Sequence, residues 1–209
     1  MPSISGALPN LVSFAVNESP KDGGGLDSLF AGHPRLEALS LGRSRLADLR
    51  PLAGLHLRTL GLSGGLTSLA GSEALATKLD HLMLDSAPNL TSLDGIEALT
   101  SLGVISISGL RNIAALDWVA ALPRLRMLDA FDQKLIDSLK PLAGHPSLEF
   151  VSFGRVKDLD LRPLTQLPRL RVVQTGNYRW NLPLSDFPML GSFARDDPTR
   201  REYYTLRNW

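Results

Sequence analysis

Cysteine is absent from the chain, which removes disulfides, thiolate nucleophiles and cysteine-ligated zinc together. Histidine is scarce, with four in 209 residues, and aromatic residues make up only 6%. An excess of either charge is also missing. Lys and Arg number 22 against 21 Asp and Glu, so no field of one sign covers the molecule to attract nucleic acid or anionic lipid. No apolar run approaches the roughly 18 residues that a membrane span needs, and residues Met1 to Val16 lack both the basic start and the uninterrupted apolar core of a secretory leader. These absences predict a soluble, cytoplasmic protein with no nucleic-acid or membrane partner, long enough to form one domain with a sizeable core.

What is abundant is leucine at fixed spacing. The frame Leu-x-x-Leu-x-Leu recurs as Leu36, Leu39, Leu41, as Leu57, Leu60, Leu62 and as Leu79, Leu82, Leu84. With apolar exchanges it continues as Leu102, Ile105, Ile107, then Leu125, Leu128, Ala130, then Leu148, Val151, Phe153, then Leu170, Val173, Thr175. An earlier copy is Leu11, Phe14, Val16. The step from Leu36 to Leu170 averages about 22 residues, inside the 20 to 29 window of leucine-rich repeats. The last two apolar positions of each frame are two apart, so they share one side of a short strand while the residues between them face the other side.

After several strands a second signature returns: Leu49-Arg50-Pro51-Leu52, Leu139-Lys140-Pro141-Leu142 and Leu161-Arg162-Pro163-Leu164. Proline sets φ near the helical value and lacks only a donor that a first turn leaves unpaired anyway. These segments are predicted to be short 3-10 or α turns on the convex back, with Ile96, Leu99, Trp118, Val119 and Leu122 filling the same places in units without that proline.

The strand frame followed by the Leu-x-Pro-Leu turn resembles leucine-rich repeats of about 22 residues, the subclass found in phosphatase regulators and internalins, over residues 11 to 178. The resemblance implies an α/β solenoid: a leucine-rich-repeat horseshoe of about eight repeats, with parallel strands on the concave side and 3-10 or α turns on the convex side. One departure stands out. Members of that subclass carry an asparagine three residues after the last strand leucine, where its amide satisfies turn backbone, whereas here the place holds Ser44, Gly65, Ala87 or Gln133. These turns are therefore expected to close their hydrogen bonds differently.

Two domain assignments follow. Residues 1–180 form the solenoid, with a flexible loop inserted near 18–25 where Pro20 precedes Gly23, Gly24 and Gly25. Residues 181–209 break the period yet keep Leu182, Leu184, Phe187, Met189, Leu190, Tyr203, Tyr204, Leu206 and Trp209, and are predicted to be the C-terminal cap and tail that a solenoid's open end requires.

The concave face is where large side chains gather unexpectedly. Its three rows read Ser13, Ala38, Thr59, His81, Val104, Met127, Phe150, Val172; then Ala15, Ser40, Gly61, Met83, Ser106, Asp129, Ser152, Gln174; then Asn17, Gly42, Ser63, Asp85, Ser108, Phe131, Gly154, Gly176. Early repeats are small and polar, while later ones bring Met83, Met127, Phe131 and Phe150 beside Asp85, Asp129 and Asp132. Apolar groups ringed by charge are what interface centres carry, so a partner-binding patch is predicted at His81, Met83, Asp85, Val104, Met127, Asp129, Phe131, Asp132, Phe150 and Arg155, with Arg43 and Arg171 also on its rim. The same residues are alternatively packed by the C-terminal segment folding back over the face. A face about 35 Å long gives room for about 800 Å² of interface, which suits a folded protein better than a metabolite.

Enzyme chemistry finds little footing. His33 and His145 occupy matching Ala-Gly-His-Pro frames and His56 a repeat joint, all read as repeat filler. His81 faces the concave side near Asp85, Ser106 and Asp129, so a Ser/His/Asp hydrolase can be drawn, yet without an oxyanion donor set or a walled pocket. The glycine clusters lack the Lys-Ser/Thr of a phosphate loop, no metal-ligand spacing occurs, and no cofactor is expected. The sequence predicts a non-enzymatic interaction module, monomeric alone and standing by itself from Met1, that regulates or inhibits its partner in the manner of a bacterial immunity or antitoxin protein. The alternatives are a self-assembling scaffold that uses the Met/Phe patch, and the His81 hydrolase.

Overall fold

A computed structural model describes residues 10–18, 33, 35–131, 133, 136–158 and 160–175. Asp132, most of the inserted loop and the whole of the predicted cap at 181–209 lie outside the described residues, as does the boundary at 180.

Each leucine frame becomes a short strand. The strands are β1 Ser13–Val16, β2 Ala38–Ser44, β3 Thr59–Gly64, β4 His81–Asp85, β5 Val104–Ser108, β6 Met127–Ala130, β7 Phe150–Phe153 and β8 Val172–Thr175. They pair in sequence order as one parallel sheet, in the register that superimposes the frames: Leu39 on Leu60, Leu60 on Leu82, Leu82 on Ile105, Ile105 on Leu128. One strand per repeat pairs only with its neighbours, the nearest-neighbour plan of a solenoid. The inward leucines form one continuous core, in which Leu60, Leu82, Ile105 and Leu128 are wholly or almost wholly buried.

Among the described residues the back turn that follows each of β2 to β7 is a 3-10 turn: Arg50–Leu52, Ser72–Leu75, Ile96–Ala98, Asp117–Ala121, Lys140–Leu142 and Arg162–Gln166. Two devices start them. Pro51, Pro141 and Pro163 stand in the first turn of three, as the sequence indicates. In two units without that proline, a glycine with positive φ precedes the turn, Gly71 at 92° and Gly95 at 96°. A side chain at Gly71 would be strained twice, because its Cβ would also fall 2.6 Å from the Arg50 backbone nitrogen.

A feature missed in the sequence lies just before the proline turns, where a short acceptor caps the entry. Asp48 accepts from the Arg50 backbone N–H at 3.0 Å and also holds its guanidinium. Asp160 does the same for Arg162, and Ser138 Oγ accepts from Lys140 N–H at 3.1 Å. The hydrogen bond from Arg50 keeps the Asp48 carboxyl below its usual range. The repeat signature is thus Asp/Ser-Leu-Arg/Lys-Pro-Leu, in which the first residue closes a local turn.

At one of the four places the missing asparagine is replaced in kind, and polar side chains elsewhere in the repeats bond the preceding turn. Gln133, buried, accepts from Leu110 N–H at 3.0 Å and donates to the carbonyls of Leu110 and Ile113 in the preceding repeat. Asn112 donates to the carbonyls of Pro88 and Leu90, and Ser147 Oγ bonds those of Pro123 and Leu125.

His33 and His145 are buried, in keeping with structural filler. The neutral His145 ring fits with Nε2–H donating to Leu122 O at 3.1 Å and Nδ1 receiving Ser147 N–H at 3.4 Å. Burial lowers its pKa, against the opposing pull of the Leu122 and Val119 carbonyls. A folded-state pKa below the unfolded one means that the unfolded chain takes up the proton first as pH falls through 6.5. The stability this neutral ring supports is therefore complete above that pH and declines below it. Thermal melts at pH 7.5 and pH 5 are expected to show a loss of Tm on acidification that is smaller in His145→Gln.

Candidate functional site

The parallel register places the three concave rows as the alternation requires. Row one runs Ser13, Ala38, Thr59, His81, Val104, Met127, Phe150, Val172, and row two runs Ala15, Ser40, Gly61, Met83, Ser106, Asp129, Ser152, Gln174. The two ends of this face differ sharply. Over β2 to β6 the face holds an open trough of about 340 Å³, lined by Ser40, Gly42, Gly61, Ser63, Met83, Asp85, Ser106, Ser108 and Asp129. Over β5 to β8 row one is closed, with Val104 5%, Met127 1%, Phe150 1% and Val172 7% exposed in a cluster separate from the main core.

The predicted patch is therefore divided. Met83, Asp85 and Asp129 come together in the trough. Val104, Met127 and Phe150 are buried and not the open surface expected of them, while Met83 and Phe131 of the same patch are half-buried. Phe131 is half-buried beyond β6, Arg155 is exposed past β7, and Asp132 lies outside the described residues.

Sequence reasoning tied the site to the large residues, whereas the trough exists because its floor is small. Ser40 and Gly61 occupy adjacent places in row two and Ser106 follows one strand beyond Met83, while Gly42, Ser63 and Ser108 sit in row three. A Cβ on Gly61 would meet Ser40 Oγ at 3.2 Å and Met83 Cε at 3.4 Å, so even one methyl group would begin to fill the depression. The signal is legible in the same rows, as small residues on either side of Met83 that end at Asp129.

Two carboxylates set the trough's electrostatics. Asp85 is exposed and accepts only a short-range bond from Ser86 Oγ at 3.0 Å. Asp129 is buried and accepts from Ser106 Oγ at 3.2 Å and from Phe131 N–H at 3.1 Å, which supplies part of what a buried charge needs. Along one edge of the sheet the residues just before the strands alternate in sign: Glu37, Arg58, Asp80, then Arg126, Glu149, Arg171, joined repeat to repeat by backbone hydrogen bonds of 2.7 to 2.9 Å with Gly103 in the middle. Opposite charges in adjacent strands at this spacing attract. A side chain at Gly103 would collide with Asp80 Oδ1, at 2.5 Å from its Cβ, so glycine leaves that carboxylate its place.

The hydrolase arrangement does not assemble. His81 Nδ1 lies 3.4 Å from Asp80 Oδ2 rather than beside Asp85, while the Ser106 hydroxyl is committed to Asp129. Among the described residues no group of three or more His, Asp and Glu side chains is placed to hold a metal ion, and no helix is long and apolar enough to cross a membrane. A second hollow, on the convex side, is lined by Asp94, Glu97, Asp117 and Trp118 among others.

No known family model matches the sequence, and no curated protein matches it. Solved structures do resemble the fold. Internalin C2 of Listeria monocytogenes is similar with a TM-score of 0.63 and 26% identity, over 80% of this chain and 72% of that one. The internalin InlF of the same organism gives 0.57 and 22%, over 88% and 61%. A leucine-rich-repeat protein of Leptospira interrogans gives 0.54 and 19%, over 88% and 53%. The chain thus spans between about half and three-quarters of the lengths of these structures. With eight in-register parallel strands and proline- or glycine-started back turns, the chain is a leucine-rich-repeat solenoid, similar in its fold to these internalin structures.

Proposed function

We propose that the protein is a protein-interaction module that takes a partner into the concave trough over β2 to β6. The carrying observation is the trough itself: a floor of Ser and Gly with the exposed Asp85 carboxylate on its lining and the Met83 thioether beside it. Small side chains let a partner's loop or main chain approach the sheet closely. A carboxylate next to an apolar thioether suits a Lys or Arg side chain, whose stem packs on Met83 while its charge meets Asp85. Buried aromatics need not supply the anchor from this side; the partner would bring it. Regulation or inhibition of that partner, in the manner of an immunity or antitoxin protein, is the narrower form of the same reading.

The test is affinity capture from the source lysate with wild type, with Gly61→Trp/Asp85→Lys, and with the convex pair Asp94→Lys/Asp117→Lys, all shown to melt alike. The proposal expects one protein to be retained by wild type and by the convex variant but lost by the trough variant, and its identity to decide between a toxin, a phosphatase and some other target. Retention by the trough variant with loss by the convex one would move the site to the hollow around Trp118. Equal retention by all three would dismiss both surfaces.

A further inference from the structure

The back turns share one frame, and one place in it changes sign along the chain. After the buried leucine that opens the turn, three repeats carry Arg50, Lys140 and Arg162, each followed by proline. Two repeats in the middle carry Asp94 and Asp117 at that place, followed by Gly95 and Trp118. Where the place is held by arginine the charge is answered locally, since Asp48 pairs with Arg50 and Asp160 with Arg162. The residues at the pairing position of the middle repeats are Ser92 and Ala115, which carry no charge. Among the described residues neither the Asp94 nor the Asp117 carboxylate has a polar partner; Asp94 is held only through its N–H, which donates to Ser92 Oγ at 3.3 Å.

Both aspartates line the convex hollow of about 370 Å³ between the turns Ile96–Ala98 and Asp117–Ala121. None of the residues lining it is basic, and its walls include Ile113, Ala114, Ala121 and Trp118. Trp118 is half-buried against the core, and its indole N–H donates to Ala115 O at 3.0 Å. That bond fixes the ring and occupies its one donor, so what it has left for a ligand is carbon surface. Like charges on one hollow repel, and a cation placed between them relieves the repulsion. A metal ion is a poor match, because among the described residues no three His, Asp and Glu side chains are placed to hold one. A planar, weakly hydrated guanidinium matches both parts of the site: it stacks on an indole and takes carboxylates on its edge.

We propose that this hollow is a second docking site, which seats an arginine from a basic segment of a partner protein against Trp118, within reach of Asp94 and Asp117. It lies on the back of the solenoid and the trough lies on the front, so the two are independent and can be filled together. One side chain in an open hollow exchanges quickly, so occupancy is read at equilibrium rather than by capture from a lysate.

The probe is a short peptide of glycine and serine with two arginines, blocked at both ends. It is titrated into isotope-labelled full-length protein and followed by the indole N–H signals of the three tryptophans, with Trp118→Phe identifying that of Trp118. A saturable shift of the Trp118 signal is expected, with a Kd of about 1 mM or lower. The same peptide with citrulline for arginine keeps the shape without the charge and should bind on the order of tenfold more weakly. Asp94→Asn/Asp117→Asn should weaken the arginine peptide as much, and Gly61→Trp/Asp85→Lys should leave its binding unchanged. A Trp118 signal that stays still at about 5 mM peptide, or that moves equally with citrulline, overturns the proposal. So does binding lost in the trough variant and kept in the convex one, which would seat the peptide in the trough. Self-association of the free protein that Asp94→Asn/Asp117→Asn abolishes, read by sedimentation velocity, would give the hollow to a second copy and overturn it too.

Discussion

Leu82→Ala is expected to cost about 2–5 kcal/mol, the range for emptying a fully buried leucine site in a core that relaxes only in part. Leu82 is wholly buried, and in register it lies between Leu60 and Ile105. The loss falls at an unusual place for a globular protein. A solenoid's stability is a sum of repeat terms and nearest-neighbour interfaces, and β4 shares an interface with the repeat on either side. A cavity there weakens both, so the two halves of the molecule become less coupled. Urea titration should show a lower midpoint and also a smaller m-value, as one transition gives way to two that overlap. Ser108→Ala, a half-buried concave residue, should stay within about 0.5 kcal/mol of wild type. A Leu82→Ala midpoint equal to that of Ser108→Ala would mean that the leucine ladder is not what holds the repeats together.

Gln133→Ala is expected to be nearly as damaging, by about 3 kcal/mol or more, for a polar reason. The carboxamide satisfies Leu110 N–H and the carbonyls of Leu110 and Ile113 across a repeat boundary. Truncation leaves three backbone groups to find other partners in a buried turn, at about 1–3 kcal/mol for each left unsatisfied. Gln133→Glu separates this account from simple loss of volume. Its size is kept and one acceptor survives for Leu110 N–H, but at neutral pH a carboxylate would face two carbonyl oxygens with nothing to donate. Glutamate should therefore be at least as destabilising as alanine at pH 7 and recover in acid, where its proton can serve one carbonyl. Thermal melts across pH, with amide exchange at Leu110, measure both effects.

These two positions also mark how far the sequence could be read. Leu82 was legible because repetition averages out chance: the frame recurs in register, so strand, order and inward face follow together. Gln133 stood out only as an absent asparagine, and which backbone groups it reaches depends on how one turn lies over the preceding one. The Asp48-to-Arg50 and Asp160-to-Arg162 caps were visible as text but carry meaning only once the proline turn is known to start there. At the site the lesson is sharper. Alternation gives the outward rows, yet facing away from the core is not the same as facing solvent, as the burial of Val104, Met127 and Phe150 shows. Period two fixes which side of a sheet a residue takes, not what lies above it. That is also why the trough among the small residues went unremarked, since a depression is a relation between neighbours rather than a property of any one of them.

The most direct test of the concave trough is peroxide footprinting of Met83 with and without the captured partner, purified and at saturating concentration. Met83 lines the trough and is half-buried in the free protein, so it should oxidise readily when free and become protected on binding, with Met127 protected in both states. Oxidation of Met83 at the same rate in the free and bound protein would contradict the account, because no partner seated between β2 and β6 could leave that thioether as open to solvent as before.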